Sequence, residues 1–161
     1  MSVEEHKQVV LRFFDEVWNR RHRSAAAEIV SSACITHQLR SGAPDTSAPR
    51  GPEMISAHVA EWVAAFPDIH FSVDQVVAER DLVALHCIAT GTQTGPWLGL
   101  RPTGRRIAIR MAVTYRLAGG RIAEDWVLVD FLGVFQQLGL VQPTSELLRR
   151  HGQAEAGQGG P

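Results

Sequence analysis

Helical periodicity ends at Phe66, and strand alternation begins at Ile69 and runs to about residue 131. Val10, Phe13, Phe14, Val17 and Trp18 recur at i, i+3, i+4, i+7 and i+8, which predicts an amphipathic helix over 4–19. Ser24 is placed to cap a short second helix from Ala25 to Val30. Gly51-Pro52-Glu53 opens a third, with an apolar stripe of Ile55, Val59, Trp62, Val63 and Phe66, and Pro67-Asp68 stops it. Ile69, Phe71 and Val73 then alternate with polar neighbours, and strands follow over 82–92, 105–117 and 121–131. Ala118-Gly-Gly120 supplies a tight turn between the last two. Helices first and antiparallel strands after them give an α+β class, not alternating βαβ units. Three N-terminal helices laid on one face of a strongly curved antiparallel sheet enclose a cone, and a cone with an apolar wall is a small-molecule pocket.

The 161 residues fit one domain, and a formal net charge of -1 gives no basic or acidic bias toward nucleic acid or an anionic membrane surface. Cys34 and Cys87 lack CxxC spacing and read as buried apolar thiols. The N-terminus is polar, without the apolar core of a signal peptide, and no run approaches the length of a membrane span. These features predict a soluble cytoplasmic protein. Residues 32–50 read as a long loop rich in turn formers, and the polar tail over 143–161 is expected to be flexible, with 152–161 disordered.

The stretch from Trp126 to Gly139 holds an acid inside an apolar run. If 121–131 is an unbroken strand, Ile122, Trp126, Leu128 and Asp130 share a face, because side chains alternate with period two. Burial there disfavours the charged carboxylate and suits Asp130 to general acid/base work. The same carboxylate is also placed to cap a helix over 132–138. On this reading Glu124 and Asp125 are solvated. Ile107, Ile109, Met111, Val113 and Tyr115 share the pocket face of the preceding strand, with Tyr115 remote from the site near the hairpin. Arg106, Arg110, Thr114 and Arg116 share the other face. His86 shares parity with Leu82, Ala84 and Ile88 and is a candidate proton shuttle. His37 is a candidate pocket donor, and Gln93 can orient a ligand carbonyl but cannot titrate. Phe14, Trp18, Trp97 and Trp126 are candidate walls for a ligand. His37, His86 and Asp130 lack metal-ligand spacing, so no metal site is expected.

Ala65-Phe-Pro-Asp68, Gly91-Thr-Gln-Thr-Gly95, Pro102-Thr-Gly104, Gly120-Arg-Ile122, Trp126-x-x-x-Asp130 and Gln137-Leu-Gly139 together resemble the SnoaL-like polyketide cyclases. These have the nuclear-transport-factor-2-like, ketosteroid-isomerase-like fold. The resemblance implies a domain over 1–142, a homodimer, a polyketide-like substrate and no metal or organic cofactor. It also implies an intramolecular aldol ring closure in which the acid at the Asp-Phe position, here Asp130, moves the proton. The chain departs from the pattern at Met111 and Val113, where polar residues are expected, and at Gln93, where His is usual. Two other functions stay open: a cofactor-independent hydroxylation component acting on an already cyclised aromatic, and a binding module without catalysis.

Overall fold

The computed structural model describes residues 1–39 and 46–157. Helix α1 (Val3–Arg12) starts at a capping box: Ser2 Oγ accepts the Glu5 backbone N–H and Glu5 accepts the Ser2 N–H. The chain continues without a break as a π-helical segment, Phe13–Asn19, which buries Phe13, Phe14, Val17 and Trp18. Helix α2 (Arg23–Ile29) begins two residues earlier than expected, with His22 rather than Ser24 at the N-cap position. Helix α3 (Pro52–Ala65) carries Pro at its start and buries Ile55, Val59 and Trp62 of its predicted stripe together with Ala65, while Val63 is half-buried.

Six strands form one sheet in the order β2-β1-β6-β5-β4-β3. They are β1 (Val30–Leu39), β2 (Thr46–Pro49), β3 (His70–Glu79), β4 (Leu82–Thr92), β5 (Arg106–Ala118) and β6 (Arg121–Val129). Every pairing is antiparallel except β1 with β6. Strands β1 and β2 correct the expectation of a loop over 32–50: Cys34 and Thr36 point inward, and β1 gains its ladder from β6, a partner far away in sequence. The remaining turn-rich residues, 40–45, lie outside the described residues. Gly119 and Gly120 both take positive φ (56° and 77°), the backbone that a two-residue hairpin between right-twisted strands requires.

Helices α1 to α3 cover the concave face of the sheet, and Val83, Leu85, Cys87, Ile107, Ile109 and Val113 are buried beneath them. Helix α4 (Phe131–Leu138) packs over β5, where Gln137 completes the backbone of Ala108 twice: its Oε1 accepts the N–H at 2.7 Å and its Nε2 donates to the carbonyl at 3.0 Å. The Gln137-Leu-Gly139 motif is thus structural, with Gly139 ending α4 in the left-handed conformation (φ 80°). A fifth helix, α5 (Thr144–Gly157), occupies most of the segment expected to be an irregular tail, and 158–161 lie outside the described residues. Among the described residues, no helix is long and apolar enough to cross a membrane.

Candidate active site

The predicted cone exists and narrows to a chamber of about 100 Å³ between the concave face of the sheet and the helices. Phe14, Trp18, Met111 and Val113 line it. Its space matches roughly one six-membered ring, since apolar cavities of about 150 Å³ are known to hold benzene. The acid inside it is not the expected one.

Strand β6 carries a bulge. Leu117 of β5 pairs with Ile122, but the adjacent Arg116 pairs with Glu124, which leaves Ala123 as an extra residue. A bulge of one residue reverses the faces of everything beyond it. Ile122 points inward, then Asp125, Val127 and Val129 do, whereas Glu124, Trp126 and Leu128 turn outward. Asp125, expected in solvent, is 5% exposed and lines the chamber. Its register partners are Thr36 on β1 and Tyr115 on β5, so Tyr115 is beside the site and not remote from it. Thr36 Oγ1 donates to Asp125 Oδ2 at 3.2 Å, and Asp125 Oδ1 is buried without a hydrogen-bond partner. Burial is the main cause that pushes the Asp125 pKa up from 3.8 to about 6, against weaker opposing pulls from Thr36, Arg50 and His37. Burial, with Asp125 alongside, drives the Tyr115 phenol well above its ordinary value, so it stays protonated.

His58, on the same face of α3 as Ile55 and Trp62, borders the chamber too. Trp62 donates its indole N–H to His58 Nε2 at 3.2 Å, which assigns the proton of the neutral ring to Nδ1. Burial, reinforced by Arg50, depresses the His58 pKa to about 4, so the ring is a neutral donor at physiological pH. Arg50, at the end of the β1–β2 hairpin, is half-buried at the same edge. Gln38, Arg50, His58, Met111 and Phe131 also border a wider cleft of about 1470 Å³. That cleft runs from Trp62 and Trp97 to His86, Arg110 and Asp130 on the far side of the sheet, so it is an open surface and the chamber is the desolvated space.

The other expected site residues fall elsewhere. Asp130 is exposed on the cleft's rim, and its Oδ1 accepts the Gly133 N–H at 2.8 Å as the N-cap of α4. Gly133 permits that approach, because a Cβ there would lie 2.2 Å from the carboxylate. Replacing Asp130 by Ala is expected to lower stability by about 1 kcal/mol, read as a shift of the urea midpoint at constant slope. His86 is exposed on the convex face: its parity with Ala84 and Ile88 holds, but the buried set of β4 is Val83, Leu85, Cys87 and Ala89. His37 and Trp126 are also on the convex face, stacked with ring centroids 5.0 Å apart. His37 bonds Glu124 at 2.8 Å and Ser47 at 2.7 Å, and Glu124 also accepts from Arg116 at 3.0 Å. Gln93 is fully buried and committed to the fold: it donates to the carbonyls of Gly95 and Arg101 and accepts from the N–H and hydroxyl of Thr103. It holds the 94–104 loop closed and has no group left for a ligand carbonyl. Trp97 of that loop is buried against Trp62, Phe66 and Phe131 and faces the cleft, not the chamber. Among the described residues, no group of three His, Cys, Asp or Glu is arranged to hold a metal ion.

Comparison with known proteins agrees with this architecture. Aklanonic acid methyl ester cyclase DnrD of Streptomyces peucetius is 31% identical over 100 residues, spanning 60% of this chain and 68% of that protein. The corresponding cyclase AcmA of Streptomyces galilaeus is 31% identical over 101 residues with the same coverage. AclR, a candidate hydroxylase from Streptomyces galilaeus, superposes with a TM-score of 0.78 at 25% identity, over 98% of this chain and 96% of its own. IdmH, a candidate polyketide cyclase from Streptomyces antibioticus, superposes with a TM-score of 0.71 at 28% identity, over 83% and 98%. The description of the SnoaL-like polyketide cyclases matches residues 8–138, and the chain belongs to that family.

Proposed function

We propose that this protein is a polyketide cyclase of bacterial secondary metabolism that closes a ring by intramolecular aldol addition, with Asp125 in place of Asp130 as the general acid/base. The observation that carries the reading is the Asp125 carboxylate, buried in an apolar chamber with one oxygen unpartnered and its pKa raised to about 6. A carboxylate in that state is ionised near neutral pH yet is a stronger base than a solvated one, the balance that proton transfer at a carbon next to a carbonyl requires. Asp125 takes that proton, the enolate carbon adds to a second carbonyl of the same substrate, and the carboxylic acid returns the proton to the new alkoxide. The product is an isomer of the substrate, and the carboxylate is regenerated. Phe14, Trp18, Met111 and Val113 keep water from the enolate, and the rest of a larger substrate lies in the cleft. The missing polar relay at Met111 and Val113 is compensated from the neighbouring strands and α3, by Thr36, Tyr115 and His58.

The reading takes the protein as a cytoplasmic homodimer that acts without a cofactor. Its supporting features are the exposed convex face, with Arg106, Ala108 and Arg110, and a mechanism that needs only proton transfer. The likeness to AclR over nearly the whole chain favours a second reading, cofactor-independent hydroxylation. Both are tested by incubating the protein with linear and cyclised aromatic polyketide esters, with and without oxygen, and weighing the products. Cyclisation gives a product of unchanged mass in both atmospheres. An oxygen-dependent product one oxygen heavier, with no isomer, sinks the cyclase reading. Binding without any product sinks both and leaves a binding module.

A further inference from the structure

Arg50 carries a charge that no ion pair among the described residues uses. Its backbone N–H donates to the Cys34 carbonyl at 2.7 Å and fixes the end of the hairpin. Arg12, Arg20, Arg149 and Arg150, all exposed, and the half-buried Arg116 each hold an acid within 4.0 Å. Arg50 is half-buried, and a cation taken out of water without a counter-charge is costly to keep. It borders both the chamber and the cleft, so it stands where one opens into the other. Its field reaches into the chamber, since it favours the ionised form of Asp125 and the neutral form of His58. His58 stands at the same junction, with Nε2 occupied by Trp62 and Nδ1 3.9 Å from the exposed Glu61 carboxylate, beyond hydrogen-bond reach, so that its N–H is left to donate. The opposing charges at this place are Asp125 in the chamber and the solvated Glu61 on the cleft, so a ligand anion binds where Arg50 outweighs them.

We propose that Arg50 is the receptor for an anionic oxygen of the substrate at the throat of the chamber, with neutral His58 as a second donor. The inference rests on the chamber being the substrate site. The anionic oxygen has two sources with shared chemistry: a carboxylate that the substrate brings, or the enolate oxygen that forms when Asp125 removes a proton. The first makes the chain select a free acid over its ester. The second makes Arg50 a stabiliser of the intermediate.

The test uses the full chain and two pairs of ring-sized probes, benzoate with methyl benzoate and 4-nitrophenolate with 4-nitroanisole. Binding is followed by quenching of tryptophan fluorescence, since Trp18 lines the chamber and Trp62 borders it. Wild type, Arg50→Gln, Arg50→Lys and Asp125→Asn are compared after circular dichroism shows that each is folded. An anion is expected to bind about tenfold or more tightly than its neutral partner. Arg50→Gln is expected to abolish that preference without weakening the neutral probe, Arg50→Lys to retain part of it, and Asp125→Asn to increase it. Preference for benzoate assigns a carboxylate, and preference for the phenolate alone assigns the enolate. The proposal is overturned if neither wild type nor Asp125→Asn prefers an anion, or if Arg50→Gln keeps the preference. Arg50-dependent anion binding without ring closure would keep this inference and end the cyclase reading. Ring closure with no anion preference would do the reverse.

Discussion

Asp125→Asn is expected to lower kcat for ring closure by about 10²–10⁴-fold, the usual contribution of a positioned general acid/base. The amide is close in size and can still accept from Thr36, so the chamber keeps its shape while losing the group that takes a proton. KM should change little, because the apolar walls at Phe14, Trp18, Met111 and Val113 stay in place. The paired control is Asp130→Asn, which removes a surface cap charge and leaves Gly133 with an acceptor; its kcat should stay within a few-fold of wild type. The opposite ranking, with Asp130→Asn inactive and Asp125→Asn active, would return the chemistry to the rim of the cleft. A tenfold or smaller effect of both would point away from carboxylate catalysis altogether.

The contrast between these two acids shows what the sequence can and cannot tell. Parity on β5 is correct from Ile107 to Tyr115, because that strand pairs with β4 without interruption and no residue is gained or lost. The same count fails on β6 at one residue, Ala123, and the error carries to every position after it. Nothing in Arg-Ile-Ala-Glu-Asp-Trp marks a bulge, since it contains no glycine or proline. A better signal was available on β4: Val83, Leu85, Cys87 and Ala89 are an all-apolar set, whereas the set holding His86 also holds Thr90, so His86 belongs outside. His58 was legible too, three residues after Ile55 and four before Trp62 on the stripe of α3. Strand β1 was not, because Ser31, Ser32 and the register shift between Val30 and Ile35 hide its alternation, and its ladder depends on a partner ninety residues away. Thr36 and Arg50 were therefore lost inside an apparent loop. The helices and the meander were legible because their periodicities are long and local; the site was only partly so, because the π-helical segment, α3, β1, β5 and β6 meet there.

Asp125 should also leave a mark on stability, with a sign opposite to that of most acids. Its ordinary pKa is 3.8, and burial raises it in the folded chain to about 6. Between those values the folded state binds the proton more tightly than the unfolded chain, so unfolding releases protons and stability falls as pH rises through this window. Above it the folded chain carries the full cost of a buried charge, on the order of 2–3 kcal/mol at 1.36 kcal/mol per unit. Asp125→Asn removes that cost. The variant is expected to be more stable than wild type at neutral and alkaline pH, and the gain should shrink as pH falls and vanish only below about pH 3, where the wild-type carboxyl is protonated in both states. Asp68, Asp81 and Glu124 act in the other direction: their pKa values are lowered by the Thr92 backbone, by Arg116 and by His37, and their contributions fade as pH falls. Both proteins share those groups, so the difference between their urea unfolding free energies isolates Asp125. A difference that does not vary with pH would mean that Asp125 is not desolvated, and the argument for its role as a base would fail with it. A difference of the expected sign would mean that the fold tolerates a destabilised carboxylate in its core, and proton transfer in the chamber is the use that accounts for keeping it there.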